Sequence, residues 1–89
     1  MSIKEKRVEE AVEKVTDTHE LILWNDDVNT FDYVIDVLIR VCEHDPIQAE
    51  QCALLTHYKG KCSIRSGSLE EMSSLCLSLL DANLSAEVN

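Results

Sequence analysis

Between Glu20 and Val88 the chain alternates short unbroken apolar runs with longer stretches in which apolar positions recur every three or four residues. "ELILW", residues 20–24, is a short apolar run bounded by turn residues, which predicts a buried strand. After "NDDVN" the positions Phe31, Val34, Ile35, Val37, Leu38, Val41 and Cys42 follow helical spacing with a broad buried face. Asn29 is expected to cap this helix, with Asp32 as its box partner. "DPIQ" restarts a helix, with Asp45 as N-cap, Pro46 at the first helical position and Gln48 at the third. That helix runs through "AEQCALLTHYK" and stops at Gly60, a residue suited to a left-handed C-terminus.

"KCSIR" alternates, with Cys62 and Ile64 on one side, as in a half-buried strand. "GSLEE" supplies a turn and a capping box, Ser68 with Glu71, and opens a third helix that runs to about Asp81. "LSAEV" forms a last short strand. The order β-α-α-β-α-β predicts an α+β domain whose helices cover one face of a small sheet. Residues 1–18 mix Glu and Lys with a few valines and carry no core pattern. They are expected to form a flexible arm, helical over Val8–Val15, ahead of an ordered domain at 19–89.

Composition narrows the function classes. The chain has 89 residues, 45% hydrophobic, with two glycines and one proline, which describes one small packed domain. A formal net charge of −9 argues against nucleic acid and against anionic membrane surfaces as partners. No stretch approaches the roughly 20 apolar residues of a membrane span. The first residues are charged where a signal peptide needs its apolar segment. A cytoplasmic protein is expected, with Cys42, Cys52, Cys62 and Cys76 reduced.

Catalytic and metal chemistry find little support. Cys42, His44, Cys52, His57 and Cys62 contain no C-x-x-C or H-x-x-x-H pair. Cys52 and His57 sit about 140° apart around their helix. Cys42 lies on an apolar stripe, which argues for burial and inertness. No Gly-rich oxyanion turn or phosphate-cradling loop is present. The expectation is a protein without enzymatic activity, metal or cofactor, although a metal-binding or redox domain built on the cysteines stands as a third reading.

The acidic turn is more informative. Asn and Asp favour turns, and carboxylates at a helix N-terminus stabilise it by about 0.3–1 kcal/mol each. Yet Asn25, Asp26 and Asp27 place three successive polar groups between a buried strand and a buried helix, beside Leu23, Trp24, Phe31 and Val34. An apolar hollow with a few convergent polar groups is the usual form of a ligand pocket. Carboxylates at its mouth suit a ligand with a cationic head and a hydrophobic side chain, such as the first residue of a peptide. If the second helix packs beside the first, His57 arrives near the same turn, where a neutral imidazole nitrogen can accept a hydrogen bond from an ammonium group.

"LILWNDD", "FDYVIDVLIRV" and "AEQCALLTHYKGK", in that order and at this separation, closely resemble the ClpS family of adaptors, which recognise N-degron substrates for a Clp AAA+ ATPase-protease. The resemblance is strong over residues 20–66. It implies the α+β fold shared with the C-terminal domain of the bacterial ribosomal stalk protein. It also implies that Asn25, Asp26 and His57, with Asp27 adjacent, hold a substrate's α-amino group. Leu23, Trp24, Asn29, Phe31, Val34, Ala53, Thr56 and Leu84 would line the side-chain pocket, for substrates beginning with Leu, Phe, Tyr or Trp. Family members commonly carry methionine at the positions of Phe31 and Ala53, so one side of the pocket has grown and the other has shrunk. On the third helix Glu70 fits an acidic contact with the ATPase, ClpA- or ClpC-like, while a lysine often used there is replaced by Leu75. The arm would engage the ATPase during delivery, and the adaptor is expected to be a monomer. The competing expectation is a domain that docks on a Clp ATPase without reading amino termini, with Phe31 plugging the pocket.

Overall fold

A computed structural model describes residues 18–89; the expected arm, but for Thr18, and the helix expected over Val8–Val15 lie outside the described residues. The elements are β1 (His19–Trp24), α1 (Phe31–Cys42), α2 (Pro46–Lys59), β2 (Lys61–Gly67), α3 (Leu69–Asp81) and β3 (Ser85–Val88). The sheet has the order β2-β1-β3, antiparallel throughout, so the first strand is central. Leu21, Leu23 and Ile64 from the sheet bury against Val37, Leu38 and Cys42 of α1, Ala49 of α2, and Met72, Cys76 and Leu79 of α3. Each fully buried Leu contributes about 1.5–3 kcal/mol, and this shared core fixes the helices on the sheet. No helix among the described residues is long and apolar enough to cross a membrane.

Two of the three expected helix starts are found. Asp45 accepts from the Gln48 N–H at 2.8 Å, and Ser68 accepts from the Glu71 N–H at 3.1 Å. The first helix departs from expectation: Thr30, not Asn29, is its N-cap, and Thr30 Oγ1 accepts from the Tyr33 N–H at 3.1 Å. Asn29 is diverted because its side-chain amide donates to the Asn83 carbonyl at 2.7 Å and to both Asp26 carboxylate oxygens. The expected buried face of α1 is also shorter. Val37, Leu38 and Cys42 are buried, whereas Phe31 at its first turn is 38% exposed.

β2 is longer than "KCSIR" and carries a register shift against β1, between Leu21 and Ile22. Leu21 faces Arg65 and Ile22 faces Ser63, leaving Ile64 as the extra residue of a bulge. Arg65 is thereby turned toward the end of α1, where its guanidinium donates to the Cys42 carbonyl at 2.6 Å. A cation on the last carbonyls of a helix opposes the negative end of its dipole. The helix ends at Glu43, a non-glycine residue in the left-handed region at φ 56°.

Candidate functional site

The C-terminal end of β1, the acidic turn, the first turn of α1, the last turns of α2 and the loop before β3 enclose a cleft of about 520 Å³. Its assembly follows from a few long-range bonds. The Asn25 N–H donates to the Gly60 carbonyl at 2.9 Å, which ties the strand end to the end of α2 and so sets His57 beside the turn. Gly60, at φ 90°, occupies the left-handed region that a glycine enters without a side-chain clash. On the opposite side, Asn29 and Tyr33 hold the α3–β3 loop: the Tyr33 hydroxyl donates to the Ala82 carbonyl at 2.7 Å, beside the Asn29–Asn83 bond. The loop turns through Asn83, itself left-handed at φ 68°, and the next residue, Leu84, enters the cleft wall.

The lining divides by polarity. Leu23, Ala53, Thr56 and Leu84 form a floor, each no more than 5% exposed. Trp24, Phe31, Leu54 and the strongly exposed Tyr58 form an aromatic and aliphatic rim, with Val34 half-buried in the wall. The Lys61 ammonium lies 5.2 Å from the Trp24 ring centre and anchors that rim from outside. At the mouth stand Asn25, Asp26, Asp27 and His57. Every residue expected at the amino-group site or in the apolar pocket therefore borders one cavity. Phe31 lies on the rim, and the cleft stays open beside it.

The polar groups at the mouth are not equivalent. The Asp26 carboxylate is bound into its own turn: it accepts from the Val28 N–H at 3.0 Å, the Asn29 N–H at 2.9 Å, the Asn29 side-chain amide and the Ser85 hydroxyl. Burial pushes its pKa up, but the hydrogen bonds from Asn29 and Val28, with a smaller one from Ser85, outweigh this and hold it below the ordinary carboxylate value. Asp26 thus stays charged and fixed in place. The Asn25, Asp27 and His57 side chains make no hydrogen bond or ion pair among the described residues, and all three are exposed. The His57 ring meets that of Tyr58, edge-on at 5.1 Å. One fixed carboxylate beside one free carboxylate, a free amide and a free imidazole forms a cation-favouring mouth over an apolar floor.

Leu54 and Tyr58 were not anticipated as lining residues. Their only sequence signal is adjacency to Ala53 and His57. Glu70 lies elsewhere, with Val41, Glu43, Arg65, Ser68, Glu71, Ser74 and Leu75 around a shallow polar hollow that shares no lining residue with the cleft. The cysteines are free thiols, Cys42 and Cys76 buried and Cys52 and Cys62 half-buried. Among the described residues no group of three or more His, Cys, Asp or Glu side chains converges as metal ligands would.

Comparison with known proteins identifies the group to which this architecture belongs. Residues 14–87 match the family model for the ATP-dependent Clp protease adaptor protein ClpS. The chain is 35% identical over 71 residues to the ATP-dependent Clp protease adapter protein ClpS of Sodalis glossinidius, and 34% identical over the same length to that of Escherichia coli O1:K1. Both alignments cover 78% of this chain and 66% of the relative, so the chain spans just under two thirds of the length of those proteins. Among solved structures, Agrobacterium tumefaciens ClpS2 bound to L-phenylalaninamide superposes with a TM-score of 0.79 at 15% identity, covering 82% of this chain and 95% of the other, which demonstrates the shared fold. The chain belongs to the ClpS family of ATP-dependent Clp protease adaptor proteins.

Proposed function

We propose that this protein binds the free α-amino group and bulky hydrophobic first residue of N-degron substrates and delivers them to a Clp AAA+ ATPase-protease. The observation that carries this reading is the single cleft in which Asn25, Asp26, Asp27 and His57 meet an apolar floor. An α-ammonium at the mouth gains the Asp26 and Asp27 charges and hydrogen-bond acceptors from Asn25 and His57. The first side chain enters the hollow between Leu23, Ala53 and Leu84. The positive end of the α1 dipole opposes an ammonium nearby, and two carboxylates rather than one offset it. The phenylalaninamide carried by the A. tumefaciens relative has this chemistry, a free α-amine beside a bulky apolar side chain. In this reading the protein performs no chemical step: it binds and hands over. The polar hollow beside Glu70 is the docking face for the ATPase.

Fluorescence anisotropy with labelled peptides that differ only at residue one tests this. Leu and Phe peptides with free amines should bind, and acetylation should abolish binding, because it removes a charge and leaves polar groups unpaired at about 1–3 kcal/mol. Glu70→Arg should leave peptide affinity unchanged while weakening association with the ATPase. Failure of every free-amine peptide to bind would leave a domain that docks on the ATPase without reading amino termini.

A further inference from the structure

The floor of the cleft contains one hydrogen-bonding side chain. Leu23, Ala53 and Leu84 offer only carbon there, and Thr56, 5% exposed, is the exception. Its hydroxyl donates to the Cys52 carbonyl one turn back at 2.8 Å, which commits its single proton. The oxygen accepts no hydrogen bond among the described residues and so keeps acceptor capacity. Ala53, one turn earlier on the same face of α2, leaves space beside it, and the cleft of about 520 Å³ has room for an aromatic ring.

Resting on the reading of the cleft given above, we propose that Thr56 makes this site select first residues that carry a hydrogen-bond donor on an aromatic ring, tyrosine and tryptophan, over phenylalanine and leucine. A hydroxyl held as donor to its own helix rewards only a donor on the ligand. The tyrosine O–H and the indole N–H supply one, and each is costly to bury without a partner. A met hydrogen bond of this kind corresponds to about a three- to tenfold gain in affinity. Without the acceptor the same tyrosine hydroxyl becomes a penalty, so the preference is expected to reverse rather than fade.

The test is competition anisotropy on the full chain with peptides identical except for a first residue of Tyr, 4-fluorophenylalanine, Phe or Leu. Wild-type protein should bind Tyr about three- to tenfold more tightly than Phe and 4-fluorophenylalanine. Thr56→Ser should keep that order, and Thr56→Val should place Tyr below Phe. Equal affinities for Tyr and Phe in the wild type, or a Tyr preference that survives Thr56→Val, would overturn the assignment while leaving amino-terminal recognition intact. A general loss of affinity in Thr56→Val would mark a merely structural residue and also overturn it. If that variant does not fold, the three aromatic peptides against the wild type decide the matter alone. Absence of binding by every free-amine peptide would instead remove the reading on which the inference stands.

Discussion

The backbone N–H of Asn25 donates to the carbonyl of Gly60 across 2.9 Å, and through that bond the end of the first strand and the end of the second helix share one edge of the cleft. That edge of the cleft is thus fixed by backbone, while the Asn25, Asp27 and His57 side chains at the mouth make no hydrogen bond among the described residues. Perturbations of the cleft therefore separate into those that loosen its frame and those that change only its chemistry.

Asp26 belongs to both classes. Its carboxyl pKa is held below the ordinary value of 3.8 by hydrogen bonds that outweigh burial. The stability this supplies is fully present above the unfolded-state value and is lost as pH falls through the lower folded-state value. Acid unfolding followed by circular dichroism should show Asp26→Asn losing less stability than wild type below about pH 4. At neutral pH, Asp26→Ala should bind free-amine peptides at least tenfold more weakly, because it removes a charge and also frees the turn.

Asn29 and Thr30 are adjacent and chemically similar, yet they hold different things. Thr30→Ala should lower stability by about 1 kcal/mol through the lost N-cap and leave peptide affinity nearly unchanged. Asn29→Ala breaks the bonds to Asn83 and Asp26 and should cost about 1–2 kcal/mol. It should also weaken peptide binding, since the Leu84 wall is no longer clipped in place. Denaturant titration paired with anisotropy distinguishes the two.

These two residues also mark what the sequence allowed to be read. Caps at Asp45 and Ser68 are local signals, each satisfied three residues on, and they are found as expected. At 29–30 two cap-forming residues compete, and the choice is made by the carbonyl of Asn83, 54 positions away. Glu43 in a left-handed conformation and the bulge at Ile64 have no glycine to announce them; tertiary packing imposes both. The positions that line the cleft were legible mainly through the resemblance of three separated motifs, because no local pattern brings Leu84 to Leu23. The division of labour among the acids was not legible: Asp26 is bound into its turn and Asp27 is free.

Ala53 sets the room in the floor. Ala53→Met adds a long flexible side chain at a position 3% exposed. It should reduce affinity for peptides beginning with Trp or Phe about tenfold while sparing Leu, because an overfilled pocket penalises the largest occupant most. The ratio of affinities measures this directly and is independent of folding yield.

The thiols of Cys42, Cys52 and Cys76 should be slow to react. Burial first, then the neighbouring Cys62, pushes the Cys52 thiol up to about 12, and burial raises Cys42 and Cys76 as well. The thiolate is the reactive form. Iodoacetamide labelling read by mass spectrometry should leave Cys42, at 0% exposure, unmodified until the chain unfolds. Cys52 labelling should accelerate with pH well beyond the range of an ordinary cysteine.

The central position of β1 has a consequence for how the molecule comes into being. Its two partners are β2 and β3, and Leu84 of the cleft wall precedes β3 directly. During synthesis, Leu23 and the acidic turn leave the ribosome before Leu84, the residue that closes the hollow over them. A growing chain that ends before Leu84 has the charged mouth without the enclosure, and its first strand has an unpaired edge. The enclosure of the cleft therefore forms only once Leu84 and β3 have been made and β3 has paired with β1.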